Sequence, residues 1–315
     1  MNSLKTCLVT GGCGFIGSAL VKQLVEQKIE VYVVDNLSSG NMLNLEKTDC
    51  QIFTTNFDNQ KIIQLIKEKK FDTVFHLAAI PSVKYSVENP SLTTDINIAS
   101  TIRLYEAAIG NVNRIIFSSS AAVYGNEHKN DISSTFSKHP ATPYAWQKSA
   151  IEDISKIFCN LYDIDIVSLR YFNVYGPGQI GGIQYSSVIS TWLHCIENNI
   201  PLTLDGDGTQ SRDYVYVDDV VRANIIAANH DEQFEGISYN ISTGKPTTNN
   251  KILEYFYDYF GEINVKKAPQ RKGDIKLSLG NSSIIKSHLN FSTETCFDEG
   301  IIKTFNYLSN KKETK

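Results

Sequence analysis

The 315-residue sequence predicts an α/β fold: a doubly wound parallel sheet with a smaller, mostly helical C-terminal lobe. Three observations carry this. In the first half, short β-branched runs alternate with amphipathic stretches, the pattern of repeated βα units. A glycine-rich turn, Thr10-Gly11-Gly12-Cys13-Gly14-Phe15-Ile16-Gly17, follows the first apolar run and opens a helix. After Asn173 the texture changes to turn-rich passages and separate helical segments.

The expected strands are Thr6–Thr10, Glu30–Asp35, Gln51–Thr54, Thr73–Leu77, Arg114–Ser118 and Asp165–Leu169. Helical patterns lie between them at Phe15–Gln27, Ser91–Gly110 and Tyr144–Tyr162. Beyond the Tyr175-Gly-Pro-Gly178 and Gly181-Gly182 turns, a helix is expected from about Ser186 to Asn198. Asp213–Val217 and Ser238–Ile241 read as short strands that return to the sheet, and Asn249–Phe260 and Asp298–Leu308 as helices. The implied division is residues 1–173, rejoined by 213–242, for the sheet domain, with 174–212 and 243–315 forming the smaller lobe.

Hydrophobic content of 42% and charged content of 20% are ordinary for a soluble globular chain. A net charge of −4 gives no electrostatic case for nucleic acid or an anionic membrane. Cys7, Cys13, Cys50, Cys159, Cys195 and Cys296 lack metal spacing, so no metal site is expected; free thiols in a reducing cytoplasm are. The first strand begins near Lys5, leaving no room for a signal peptide, and no apolar stretch is long enough to span a bilayer. Lys311–Lys315 reads as a solvated tail.

The GxxGxxG spacing of Gly11, Gly14 and Gly17 suits a phosphate. A side chain there would block backbone N–H groups from an anion that the helix N-terminus attracts. Asp35 ends the next strand, where a carboxylate can bind both hydroxyls of a ribose and repel a 2′-phosphate. Together these indicate a Rossmann-type dinucleotide site and favour NAD over NADP.

At the other end of the domain, Tyr144 and Lys148 are four residues apart and share a helix face. A free phenol, with a pKa of about 10, is a poor base at neutral pH, and lowering it by about three units takes roughly 4 kcal/mol. One positive charge near 6 Å at an effective dielectric of about 20 supplies about 3 kcal/mol. Lys148 and an oxidised nicotinamide together suffice. Ser118-Ser119-Ser120 follows an apolar strand and offers hydroxyls to a substrate oxygen as its proton leaves. The combination points to hydride transfer.

With these residues in place, the chain resembles an extended short-chain dehydrogenase/reductase of the NAD-dependent sugar epimerase/dehydratase branch. The resemblance also rests on His76-Leu-Ala-Ala79, Ser118-Ser-Ser-Ala-Ala-Val-Tyr-Gly125, Arg170-Tyr-Phe-Asn173, Ser211-Arg-Asp-Tyr-Val-Tyr-Val-Asp-Asp219 and Arg271-Lys-Gly-Asp274. It implies a cofactor site made by Gly11, Gly14, Phe15, Ile16 and Gly17, by Asp35, Asn36, Ser39 and Gly40, and by Asn56 and Phe57. Leu77, Ala78, Ala79, Asn97, Ser118 and Tyr171 complete it around Tyr144 and Lys148, with Phe172 beside Tyr171. It makes Ser120 the substrate-orienting hydroxyl. Asn173, Arg212 and Arg271 are implied at a diphosphate, as suits guanidinium groups in a net-acidic protein. Asp274 is implied at a uridine ribose, with Val188 on the substrate-lobe helix.

The same resemblance discriminates between reactions. Related dehydratases carry acids before Val-Tyr-Gly, where this chain has Ala121 and Ala122. What remains is reversible oxidation at one carbon, as in a UDP-hexose 4-epimerase, where Tyr144 exchanges the C4 hydroxyl proton and the 4-keto sugar turns over before reduction. Ser278, four after Asp274, is small where relatives acting on unacetylated hexoses have Tyr, and His76–Val83 resembles N-acetylhexosamine epimerases, placing Ser82 near the sugar. These imply UDP-GlcNAc/UDP-GalNAc, with UDP-Glc/UDP-Gal as a second pair. UDP-glucuronate epimerisation and net dehydrogenation stay open, as does an NAD-binding scaffold. Two departures are Thr55-Asn56-Phe57 for Gly-Asp-Ile/Leu and Val188-Ile189-Ser190 for Val-Ile-Pro. The family usually pairs through helices near 91–110 and 144–162, implying a homodimer.

Overall fold

The computed structural model describes residues 4–69, 71–125, 131–182, 187–270 and 276–313. Its centre is a seven-stranded parallel sheet. In chain order the first elements are β1 (Thr6–Thr10), α1 (Phe15–Glu26), β2 (Glu30–Asp35), β3 (Gln51–Thr54), α2 (Gln60–Lys69) and β4 (Thr73–His76). Next come α3 (Val83–Glu88), α4 (Pro90–Thr94), a π-helical turn (Asp95–Ala99), α5 (Ser100–Ala108), β5 (Arg114–Ser120), α6 (Pro143–Leu161) and β6 (Asp165–Tyr171). The second half holds β7 (Asn173–Tyr175), α7 (Val188–Glu197), β8 (Leu202–Asp205), β9 (Ser211–Tyr216), α8 (Val217–Ala228) and β10 (Ser238–Ile241). It ends with β11 (Pro246–Thr248), α9 (Asn249–Phe260), β12 (Val265–Ala268), β13 (Leu277–Ser278), α10 (Ser283–Leu289) and α11 (Phe297–Glu313).

The sheet order is β10-β6-β5-β4-β1-β2-β3. Strand direction of winding reverses between β1 and β4, which opens a crevice beyond their C-terminal ends. The strands alternate cleanly. Val9, Val31 and Val33 face the core shared with α1 and α8, whereas Leu8, Tyr32 and Val34 face the one shared with α2, α5 and α6. Being buried on both sides, such strands read as continuous apolar runs, which is why the sequence marks them well. Leu20, Val21 and Leu24 fix α1 to the sheet, each worth about 1.5–3 kcal/mol on full burial.

Two expectations change. Ser238–Ile241 does join the sheet, in parallel with β6, but the strand expected at Asp213–Val217 does not. It forms β9 of a separate small sheet, between β7 and β13 in parallel and β11 antiparallel. The β6 edge it would have occupied is already taken by β10. The helix expected over Ser91–Gly110 is interrupted by the π-helical turn at Asp95–Ala99. A third core, built around Trp192, Phe256 and Phe305, lies beneath α7, α9 and α11.

Candidate active site

A cavity of about 860 Å³ runs from the glycine turn, past the ends of β1, β4 and β5, to Tyr144, Lys148, Arg212 and Ser278. Its volume sits in the upper range of small-molecule sites. At one end α1 starts with Gly14 as its N-cap and no capping side chain, so its first N–H groups face the cavity without a side-chain partner. A Cβ on Gly17 would lie 2.1 Å from the Gly11 carbonyl oxygen, and one on Gly11 would lie 2.9 Å from the Ala78 nitrogen at a positive φ of 70°. The turn therefore closes only with glycine. These residues fit a dinucleotide's pyrophosphate.

Asp35 does two jobs. Its carboxylate accepts from the Cys13 N–H at 2.9 Å and from the Leu37 N–H at 2.8 Å, tying the glycine turn to the next loop, while still lining the cavity. Gly40 does not line the cavity. It packs on Asp35, whose Oδ2 a Cβ there would approach to 2.9 Å. Asn36 donates from Nδ2 to Asn56 Oδ1 at 2.9 Å, so the acceptor expected to face an adenine amino group already has one partner. Phe15, Ile16, Ser39, Phe57 and Leu77 to Ala79 all line the same stretch.

His76 is a structural tether. The Thr10 hydroxyl accepts from the Ala78 N–H at 3.0 Å and is 2.8 Å from His76 Nδ1, while Nε2 is 2.9 Å from Thr101 Oγ1. Thr101 in turn donates to the Asn97 carbonyl at 2.8 Å, so Nε2 carries the ring proton. Full burial pushes His76 down to about 3, and it stays neutral.

Asn97 also stands apart from the cavity. Its side chain accepts from the Ile80 N–H at 2.8 Å, donates to the Ile80 carbonyl at 3.1 Å and donates to Gln147 Oε1 at 2.8 Å. The π-helical turn projects it toward Ile80, which does line the cavity. Ser82 is likewise reassigned. Its hydroxyl caps α3 by accepting from the Tyr85 N–H at 2.9 Å, and the wall there is made by Pro81, Val83 and Tyr85. Val188 packs in the lobe core, while Ser187 lines the cavity and caps α7 by accepting from the Ser190 N–H at 3.2 Å.

At the catalytic end, Thr142 caps α6, Pro143 occupies its first turn and Ser86 Oγ accepts from the Tyr144 N–H at 3.1 Å. Tyr144 and Lys148 then face the end of β5. Tyr144 and Ser120 line the same end of the cavity. Lys148 Nζ donates to the Ser118 carbonyl at 2.6 Å and lies 5.9 Å from the Tyr144 ring centre and 4.6 Å from that of Phe117. Burial pushes the Tyr144 phenol up to about 12, with the Ser120 hydroxyl opposing it. Burial also pushes Lys148 down to about 7, with the Glu152 carboxylate opposing. The chain's own surroundings thus move the phenol the wrong way for a base. The expected acidification has to come from charge brought beside it.

Tyr171, Asn173, Arg212 and Ser278 line the cavity too. Tyr171 donates to Asn224 Oδ1 at 3.0 Å, and Asn173 Nδ2 to the Asp213 carbonyl at 3.4 Å. Ser278 is the ladder partner of Arg212, so the two sit side by side. Arg271 and Asp274 lie outside the described residues. Sequence reasoning missed Tyr124 and Ser86, and also Glu152, whose position four after Lys148 placed it on the catalytic helix face.

A glycine cradle, an acid after β2 and a Tyr/Lys pair facing a serine at the end of β5 share one crevice. The model of the NAD dependent epimerase/dehydratase family matches residues 7–242. The chain belongs to that family. This enzyme is NAD-dependent like its family, and the glycine cradle has the form that a dinucleotide's pyrophosphate requires. A UDP-glucose 4-epimerase from Mycolicibacterium smegmatis is 32% identical over 313 residues, covering 97% of this chain and 99% of that one. A UDP-N-acetylglucosamine 4-epimerase from Methanobrevibacter ruminantium, solved with UDP-N-acetylmuramic acid, superposes with a TM-score of 0.91 at 35% identity, covering 99% and 100%. The UDP-glucose 4-epimerase of Thermus thermophilus, solved with NAD, gives 0.87 at 33%, covering 96% and 99%.

Proposed function

We propose that the chain interconverts UDP-GlcNAc and UDP-GalNAc, with UDP-Glc and UDP-Gal as a second pair. The coarser statement, an NAD-dependent UDP-sugar 4-epimerase, follows from the family and from relatives matched over nearly the full chain. Bound NAD supplies reversible hydride acceptance, chemistry that no side chain offers. Tyr144 removes the C4 hydroxyl proton and later returns one, which it can do with the Ser120 hydroxyl at the same end of the cavity and the Lys148 charge near its ring. Asn173 and Arg212 line the cavity and, in this reading, hold the diphosphate, leaving the sugar free to turn at the Tyr144 end.

The preference for an acetylated sugar rests on Ser278, a small side chain on the cavity wall beside Arg212. Ala121 and Ala122 line the same wall and offer no acid for water elimination. Among the described lining residues the cations are Lys148 and Arg212, which leaves none for a glucuronate C6 carboxylate once both are engaged. Two copies paired through α5 and α6 complete the reading.

Purified protein incubated with UDP-GlcNAc, UDP-Glc and UDP-GlcA, without added cofactor, tests it by chromatography of the products. Conversion of UDP-GlcNAc is expected, and Ser278→Tyr should reduce it by about 100-fold, within what a few kcal/mol of steric conflict produces, while sparing UDP-Glc. Conversion of UDP-Glc alone by the wild type overturns the assignment of the acetylated pair.

A further inference from the structure

Beneath the catalytic residues lies a charged cluster that the reaction as described does not use. Glu152 follows Lys148 by one helical turn and is fully buried. Its Oε1 accepts from Ser119 Oγ at 2.6 Å and from Arg170 Nε at 2.8 Å, and its Oε2 accepts from Arg170 Nη2 at 2.7 Å. The guanidinium goes on to donate to the Tyr124 hydroxyl at 2.6 Å and the Ser134 carbonyl at 2.9 Å, and Tyr124 donates to Asn240 Oδ1 at 2.6 Å. Lys138 Nζ approaches Glu152 Oε2 to 3.4 Å but is bound more closely, at 2.5 Å, by the exposed Asp153. The cluster spans three elements: Ser119 is on β5, Glu152 on α6 and Arg170 on β6.

We propose that Glu152 is a positioning residue that acts through Lys148: it neutralises the buried Arg170 and so keeps the neighbouring Lys148 amine charged. The inference rests on the reading of Tyr144 and Lys148 given above. Lys148 needs such help because it is buried against the Phe117 and Tyr144 rings. It donates to an uncharged acceptor, the Ser118 carbonyl. The other groups near it are neutral or of its own sign. His76 is uncharged and Tyr144 is a phenol, while the Arg170 guanidinium, which shares the Glu152 carboxylate, cannot lose its proton. Around Glu152 the titratable neighbours are Arg170 on β6, Lys138 on the preceding loop, Tyr124, Tyr105 on α5 and Lys148 itself. Glu152 is the carboxylate among them, and the burial-driven loss of the Lys148 proton is what its charge opposes.

Glu152→Gln keeps the size and a Ser119 acceptor but leaves Arg170 uncompensated; Arg170→Gln leaves Glu152 with a surplus negative charge. The two variants therefore shift Lys148 in opposite directions. The readout is NMR of NAD-saturated protein labelled at lysine Cε, with the Lys148 signal assigned by its loss in Lys148→Met. The Lys148 midpoint should fall by about one to two pH units in Glu152→Gln and rise in Arg170→Gln, as expected for a unit charge acting over several ångströms of low-dielectric interior. The alkaline limb of the kcat profile should move with it. A folded variant with lowered kcat and an unmoved Lys148 midpoint overturns the proposal. If Glu152→Gln does not fold, the direction of the Arg170→Gln shift decides alone. Because the titration needs no turnover, a wild type inactive on every UDP-sugar would count against the proposed function and leave the role of Glu152 standing or falling on its own.

Discussion

At the scale of single residues, the site spends stability on a buried charge. Lys148 has a folded-state pKa near 7 against an ordinary 10.5, so between those values the unfolded chain binds a proton the folded one has released. Stability therefore rises with pH across that window, and the full penalty is felt below about pH 7. Tyr144, pushed up to about 12, works the other way: its contribution is lost as pH climbs from 10 toward 12. Lys148→Met removes the buried ammonium at the cost of one hydrogen bond to Ser118. Its Tm should exceed that of the wild type by about 2–4 °C at pH 6.5, with the gain shrinking by pH 9.5, when followed by calorimetry. Turnover should drop by at least about 100-fold, and Tyr144→Phe should abolish it with NAD still bound. A lower Tm for Lys148→Met at pH 6.5 would mean that packing and the hydrogen bond outweigh desolvation. The Tyr/Lys pair was legible from its spacing; the direction of its pKa shifts was not, because burial is a tertiary property.

At the scale of elements, what could be read depended on periodicity. The central strands and α1, α6 and α9 follow their apolar patterns to within two residues, since each is held by a face or faces that the sequence spells out locally. The π-helical turn at Asp95–Ala99 was hidden, as one extra residue in a turn leaves the run of apolar residues intact while redirecting Asn97 toward Ile80. The partners of β9 were equally hidden, because strand pairing is set by which edges are already occupied. Ser82 shows the same limit on a smaller scale. A serine before an apolar stretch suits a sugar or a helix cap, and only the geometry distinguishes them. The cap assignment has a consequence: Ser82→Ala should cost about 1 kcal/mol of stability, read as a lowered midpoint in urea, with KM for the UDP-sugar unchanged within about twofold. A KM raised by about tenfold with unaltered stability would return Ser82 to the sugar.

At the scale of the whole molecule, α6 faces two ways. Its inner side carries Tyr144, Lys148 and Glu152, whereas its outer side exposes Trp146 (51%), Ile157 (48%) and Leu161 (69%). These three recur at helical spacing, and Val87 on α3 and Leu92 on α4 add further exposed apolar surface on neighbouring helices. Apolar surface gathered in this way marks an interaction face, and a stable dimer needs about 800 Å² from each partner. A second copy packed on α6 would clamp from outside the helix that positions the catalytic pair from inside. Trp146→Glu with Ile157→Glu would place two like charges in the proposed dimer interface without touching the cavity lining. Light scattering should then report the single-chain mass of 35.2 kDa in place of twice that value. Turnover should fall as α6 loses its outer support, and a substrate panel run on the same sample separates the two effects. If the variant stays dimeric, the copies pair elsewhere. If it becomes monomeric with full turnover, the outer face of α6 serves assembly alone, and the β5–α6–β6 charge cluster suffices to hold Tyr144 and Lys148 in place.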